Sequence, residues 1–184
     1  MHIAVVGSGY VGLVAGACFA DLGHDVILVD NDQAKLNALK TGDVPIHEKF
    51  LPELLLRHRD RKLTFSDDLN HAVRASKAIF IAVGTPPTEQ GEADLSYVES
   101  VARSISGAIN GYKVIIEKST VPVYTSDWVR KIILRNAAAP DSFDVSITVR
   151  VWPMFNPGQE LSSDFCDCLG SDPGSRLGRT TKPE

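Results

Sequence analysis

Short apolar runs alternate with amphipathic stretches over the first 145 residues or so. Residues 2–6, HIAVV, are β-branched and apolar, the pattern of a strand buried on both faces. Residues 10–22, YVGLVAGACFADL, have helical length and apolar content, and Gly23 follows where a helix end favours glycine. DVILVD, residues 25–30, is a second buried run. Asp32 stands ready to cap the next helix, QAKLNALK, and Gly42 to end it. FLPELLLRHRD predicts a short helix with Pro52 in its first turn. KLTFS is a third strand, after which Ser66 is expected to cap a small helix with Asp67 and Asp68 near its positive end. AIFIAV, residues 78–83, is a fourth buried strand. Val98, Val101, Ala102, Ile105, Ala108 and Ile109 then keep helical spacing on one face. KVII is a fifth strand, and over residues 125–136 Trp128, Val129, Ile132 and Ile133 share one side of a helix.

Strands alternating with helices predict an α/β fold, a doubly wound parallel sheet covered on both faces. No internal repeat of fixed period is visible. The pattern stops near residue 145. VSITVRV offers one more strand. The segment from Trp152 to Glu184 keeps neither period and is rich in Gly, Pro, Ser and Asp. The expected division is a folded domain over residues 1–150 and an irregular or disordered tail over residues 151–184.

Composition narrows the function. A chain of 184 residues holds one domain with a sizeable core, and 43% hydrophobic with 23% charged residues is ordinary globular composition. A net charge of −4 gives no electrostatic case for nucleic acid. The basic run RHRDRK is interrupted by Asp60 and reads as a solvated helix end. No apolar stretch approaches the ~20 residues of a membrane span. The chain begins directly as a strand with no basic leader, so no signal peptide is expected. Three cysteines make no disulfide framework. Cys18 reads as a small core residue, and Cys166 and Cys168 form a lone C-x-C short of a metal site, so no metal is expected. These features favour a reducing cytoplasm.

The chemistry concentrates in GSGYVG, residues 7–12. In the order strand, glycines, helix, strand, acidic residue, such a cluster fits a dinucleotide-binding turn, although the glycines alone would also suit a plain strand-to-helix turn. Gly7 would allow the tight bend, Gly9 the close approach of a pyrophosphate, and Gly12 close packing of helix on sheet. The helix that starts at Tyr10 would turn its free N–H groups and positive end toward the phosphates. Asp30, about twenty residues on, would accept hydrogen bonds from the adenosine ribose and repel a 2′-phosphate, favouring NAD over NADP. Lys35 would reach the same ribose or stand as a surface lysine. VGTPP and KSTVP follow the fourth and fifth strands. They place Thr85, Ser119 and Thr120 where ligands sit in open α/β sheets, with helix capping and turn formation as the alternative use. His47 beside Glu48 is a possible acid–base pair, although loop decoration is the simpler account. His2, His24, His58 and His71 show no partner pattern.

GSGYVGLVAGACFADLGHDVILVDND, LNALKTGDVPIHEKFLPELL, FIAVGTPPTEQGEADLSYV and VIIEKSTVPV together resemble the UDP-glucose/GDP-mannose 6-dehydrogenases, with the UDP-glucose branch nearest, over residues 1–145. The resemblance implies a Rossmann-like, N-terminal NAD-binding domain of a longer enzyme. Such enzymes oxidise a nucleotide sugar's C6 alcohol to a carboxylate with two NAD molecules. It places the cofactor positions at Val11, Asp30, Lys35, Thr85 and Thr120, and Thr120 also in a catalytic water network. Two departures stand out. Tyr124 replaces a glycine, with strain of ~1 kcal/mol expected if the site needs a positive φ. The family's glutamate-bearing segment is only echoed in FNPGQEL, where Gly158 takes the glutamate's place. The later substrate lysine and nucleophilic cysteine have no counterpart, and Cys166 and Cys168 match no such motif. The resulting expectation is the amino-terminal part of such an enzyme, cut short, with a foreign or frame-altered tail. It would bind NAD, would be inactive alone, and would meet a nucleotide sugar only if a substrate domain were supplied. A dehydrogenase completed by another chain, a stand-alone NAD-binding or regulatory module, and another Rossmann dehydrogenase remain as alternatives.

Overall fold

The apolar runs pair edge to edge as parallel strands. A computed structural model describes residues 1–137 other than Pro45, His47 and Val123, together with the backbone of residues 145–147. In chain order the elements are β1 (His2–Val6), α1 (Tyr10–Asp21), β2 (Asp25–Val29), α2 (Gln33–Thr41), α3 (Leu51–His58) and β3 (Leu63–Ser66). They continue as α4 (Leu69–Ala75), β4 (Ala78–Ile81), α5 (Ser96–Ala108), β5 (Lys113–Glu117), α6 (Thr125–Asn136) and β6 (Val145–Ile147). The sheet order is β3-β2-β1-β4-β5-β6. β1 lies at its centre, with Ile3 paired to Val26 of β2 on one side and to Ala78 of β4 on the other. The order reverses there: the chain runs outward from β1 to β3, then returns to β4 beside β1 and runs the other way. The expected doubly wound sheet is what the chain forms, and residues 145–147 add a parallel strand to β5.

Strands buried on both faces need two helical layers. Ala4 and Val6 of β1 and Ile79 and Ile81 of β4 join one core with Ala72 and Val73 of α4, Val98, Ala102 and Ile105 of α5, and Val129 and Ile133 of α6. Trp128, expected on the same side of α6, packs against this core partly buried. On the other face α1 lies close to the sheet because Gly16 has no side chain. A Cβ there would stand 3.3 Å from Leu28 and 3.7 Å from Leu63. Phe19 of α1 meets Phe80 of β4 with ring centroids 4.7 Å apart. Each such large apolar side chain, fully buried, contributes about 1.5–3 kcal/mol.

Helix ends follow local chemistry with one correction. Asp32 caps α2 by accepting from the Ala34 and Lys35 N–H groups. After α1, Gly23 at φ 89° lets its own N–H reach Ala20 O and the His24 N–H reach Phe19 O. Ser66 does not cap α4. It closes β3, and its hydroxyl accepts the Asp68 N–H at 3.0 Å, whereas Asp68 is the cap and accepts the His71 N–H at 2.8 Å. The Asp68 carboxylate lies two residues nearer the helix than the Ser66 hydroxyl and outcompetes it for the free His71 N–H group. The strain considered for Tyr124 is absent: its φ is −88°, and its ring is 80% exposed before α6.

The basic run at the end of α3 is more engaged than a solvated end. Arg57 and His58 both reach Asp21 of α1, at 3.2 and 2.9 Å, and Lys62 pairs with Asp25 at 2.9 Å. Cys18 is half-buried on α1, and burial, with some help from Asp21, raises its thiol above the ordinary range. Among the described residues no helix is long and apolar enough to cross a membrane, and no group of three His, Cys, Asp or Glu side chains could hold a metal. His47, Gly158, Cys166, Cys168 and the whole segment from 151 to 184 lie outside the described residues.

Candidate functional site

Where neighbouring strands send their helices in opposite directions, their carboxyl ends leave a gap. Here the gap lies between β1 and β4. It forms a crevice of about 190 Å³ whose lining includes Gly9, Tyr10, Val11, Thr85, Ser119 and Thr120. Residues that the sequence leaves far apart, on three loops, meet there. A wider hollow of about 530 Å³ along Gly42, Val44, Glu48 and Pro52 has no strand-end glycine turn. The narrower crevice is therefore the better site on chemical grounds.

The three glycines of the first loop do different work. Gly7 has φ 108°, and a Cβ on it would lie 2.5 Å from Ala82 O. On Gly12 a Cβ would lie 1.9 Å from Gly7 O. These two are required by the packing of α1 against the β1 and β4 ends. Gly9 is not. Its φ and ψ of −71° and −175° suit any residue, and among the described residues nothing lies within 4 Å of a Cβ built on it. The space beside Gly9 is open to the crevice.

The amino end of α1 is also open electrically. The first N–H groups of a helix lack intrahelical acceptors and carry a partial positive charge. α2 and α4 receive aspartate caps, and α3, α5 and α6 each carry an acidic residue in the first turn. Among the described helices α1 alone has neither a side-chain cap nor a first-turn acid. Its end is free for an external anion.

Asp30 follows β2 and is half-buried. Ser8, between the first two glycines, donates both its N–H (2.7 Å) and its hydroxyl (2.5 Å) to Asp30 Oδ2, and the Asp32 N–H reaches Oδ1 at 3.0 Å. Burial pushes this carboxyl up. The bonds from Ser8 and Asp32, with Lys35 nearby, more than offset that and hold it below the usual carboxylate range. The group is thus ionised and fixed in place. Lys35 is an exposed side chain 3.8 Å from Asp32, on the same side of the site. Ser8 escaped the sequence reading, although a hydroxyl between two glycines of such a loop is its visible signal.

At the other end of the crevice, the Thr85 hydroxyl donates to Thr120 O at 2.9 Å and so ties the β4 loop to the β5 loop. The Ser119 hydroxyl is turned inward, 3.4 Å from Ile81 O. Both expected uses of this loop are therefore mixed: two hydroxyls brace the wall, and Thr120 is left exposed on it. The Tyr10 phenol donates to Glu48 at 2.5 Å, a bond that raises the phenol pKa and engages the carboxylate considered as a partner of His47. Glu117, at the end of β5, was also missed. The sequence signal was an acid closing an apolar strand. The donor set as a whole fits a dinucleotide: free N–H groups for phosphates, a fixed carboxylate for a ribose diol, and a braced wall beyond.

The family model described as the UDP-glucose/GDP-mannose dehydrogenase family, NAD binding domain, matches residues 1–167. The UDP-glucose 6-dehydrogenase TuaD of Bacillus subtilis is 49% identical over 144 residues, which are 78% of this chain and 31% of that protein. The UDP-glucose 6-dehydrogenase of Rhizobium meliloti is 50% identical over 148 residues, 79% of this chain and 34% of that protein. The chain thus spans about a third of the length of these curated relatives. Among solved structures, a GDP-mannose dehydrogenase ternary complex from Pseudomonas aeruginosa superimposes with a TM-score of 0.74 at 32% identity, covering 83% of this chain and 37% of that one. A UDP-glucose dehydrogenase from Pyrobaculum islandicum gives 0.73 at 35% identity, with coverage of 83% and 36%.

Proposed function

The chain belongs to the UDP-glucose/GDP-mannose dehydrogenase family, whose NAD-binding domain it carries, and from that premise we propose that it holds NAD in the β1–β4 crevice for the oxidation of a nucleotide sugar's C6 alcohol, UDP-glucose first among candidates. NAD, when bound, supplies the hydride acceptor. The chain's own residues bind and orient. The N–H groups at the start of α1, from Tyr10 and Val11 onward, take the pyrophosphate, and Gly7 and Gly12 keep that helix end against the sheet. Asp30, clamped by Ser8, accepts the adenosine ribose hydroxyls, with Lys35 beside it. Thr85, Ser119 and Thr120 form the wall at the reacting end, and Thr120 orders water there.

One observation carries this reading: the amino end of α1 opens onto the crevice with no cap, no first-turn acid and no side chain at Gly9. The fold leaves that end unsatisfied, and a diphosphate satisfies it. The sugar's own binding groups are a different matter. The chain spans about a third of its relatives' length, and nothing assigned above orients a second reactant. We infer that these 184 residues alone bind NAD without turning over a nucleotide sugar.

Calorimetry on the purified chain with NAD, NADP and UDP-glucose tests both parts. The expected order is weak binding of NAD, weaker of NADP and none of UDP-glucose. Tight UDP-glucose binding, or NADP preferred over NAD, would overturn the assignment.

A further inference from the structure

β5 ends on a carboxylate that the site as assigned does not use. Glu117 is 3% exposed and lies on the strand face that Ile115 shares, turned into the core beneath α5 and α6. Its Oε1 accepts the Ser119 N–H at 2.8 Å, while its Oε2 is buried with no hydrogen-bond partner among the described residues. A buried polar oxygen left unpaired is costly, and an isoleucine fills the same strand face two residues earlier. The packing alone gives no reason for an acid. What the acid does is hold a turn. The residue whose N–H it grips, Ser119, and the next, Thr120, form one wall of the crevice, and Thr120 O is where Thr85 bonds across from the β4 loop.

We propose that Glu117 is a positioning residue of the cofactor crevice: through the Ser119 N–H its carboxylate sets the Ser119–Thr120 wall, and NAD is held more tightly when that carboxylate is ionised than when it is protonated. The proposal rests on the NAD-binding reading above. The physical reason is that a charged acceptor makes an N–H bond roughly twice as strong as a neutral one. Burial pushes the Glu117 carboxyl up to about 7, against a partial pull downward from the hydrogen bonds of Ser119 and the Lys118 backbone. The Ser119 hydroxyl, held to Ile81 O only at 3.4 Å, is close enough to turn toward the carboxylate. The charged groups on the surrounding elements are Lys113 and Lys118 beside it on the chain, Glu99 and Arg103 on α5, and Asp127, Arg130, Lys131 and Arg135 on α6; β4 has none. Burial first, and then the Ser119 and Lys118 hydrogen bonds, set where Glu117 titrates. The switch between its two forms therefore falls near neutral pH and belongs to this one group.

The test measures NAD affinity of the full chain by calorimetry between about pH 5.5 and 8.5, for the wild type and for Glu117→Gln. The wild type should bind about fivefold more tightly above the transition than below it, with a midpoint near 7. Glu117→Gln should be flat at the wild type's low-pH level. In parallel, carboxyl ¹³C resonances of the wild type are titrated with and without NAD. Linkage is reciprocal, so NAD should move the Glu117 midpoint down by about 0.7 in pH. That second readout decides the matter even if the variant does not fold. A flat wild-type profile, a variant that keeps the wild-type profile, or a midpoint unmoved by NAD would each overturn the proposal while leaving NAD binding intact. No NAD binding at any pH would overturn both.

Discussion

Gly9 and Gly12, three residues apart at the start of α1, should respond to the same substitution in opposite ways. Gly12→Ala places a methyl group 1.9 Å from Gly7 O. An ordinary contact needs about 3.3 Å, so helix and loop must separate by more than 1 Å, the kind of overpacking that costs about 1–3 kcal/mol or more. Gly7 cannot yield: its N–H is bonded to Val29 O at 2.7 Å and its Cα faces Ala82 O. The expectation for Gly12→Ala is the upper end, ~3 kcal/mol lost, with NAD binding lost as well. Gly9→Ala meets nothing within 4 Å and keeps an ordinary φ of −71°. A small penalty for alanine at a helix N-cap and a small gain in unfolded-state entropy nearly cancel, leaving stability within ~0.5 kcal/mol of the wild type. NAD affinity should still fall at least tenfold, about 1.4 kcal/mol, because the methyl group occupies the side from which the diphosphate approaches. Urea unfolding and calorimetry on the two variants give the four numbers. If Gly9→Ala destabilised the fold as much as Gly12→Ala, or bound NAD like the wild type, the separation of fold-required from ligand-required glycines would be wrong.

Glu117 also sets a stability slope. Its folded value of about 7 lies above the reference value of 4.5, so between those limits the folded chain keeps a proton that the unfolded chain has lost. Stability from this group is full below the unfolded value, falls as pH rises toward 7 and levels off above, by ~3 kcal/mol in all. Glu117→Gln should remove that fall, and equal urea midpoints for wild type and variant at both pH 5 and pH 8 would refute it. Asp30→Asn should weaken NAD about 5–30-fold while narrowing its lead over NADP, since the charge that repels a 2′-phosphate is gone; calorimetry with both cofactors reads this. Asp68→Ala should cost ~1 kcal/mol and Ser66→Ala less, because the carboxylate and not the hydroxyl caps α4. Thermal or urea unfolding that ranked them the other way would restore Ser66 as the cap.

Much of this molecule is legible in one dimension because its signals are local. Four mainly apolar strands, β1, β2, β4 and β5, with helical spacing between them determine a parallel sheet, since a strand with little polar alternation needs cover on both faces. Gly7, Gly9 and Gly12 in a strand–helix turn, with Asp30 after the next strand, mark the place where a dinucleotide's charge and ribose are met. Cap residues within three positions of a helix start are less secure, and the choice between Ser66 and Asp68 turned on geometry within a single turn.

Other features depended on which segments come together. The sequence could not say that Ser8 clamps Asp30, that Thr85 ties to Thr120, or that Gly9 alone of the three glycines faces empty space. Nor could it say that an acid closing β5 lies buried behind the crevice wall with one oxygen unpaired among the described residues. Local pattern determines which elements form, because backbone propensity and periodicity act over a few residues. Which polar atoms find partners, and which are left facing a ligand, depends on contacts between residues tens of positions apart, and the packed sheet alone decides those.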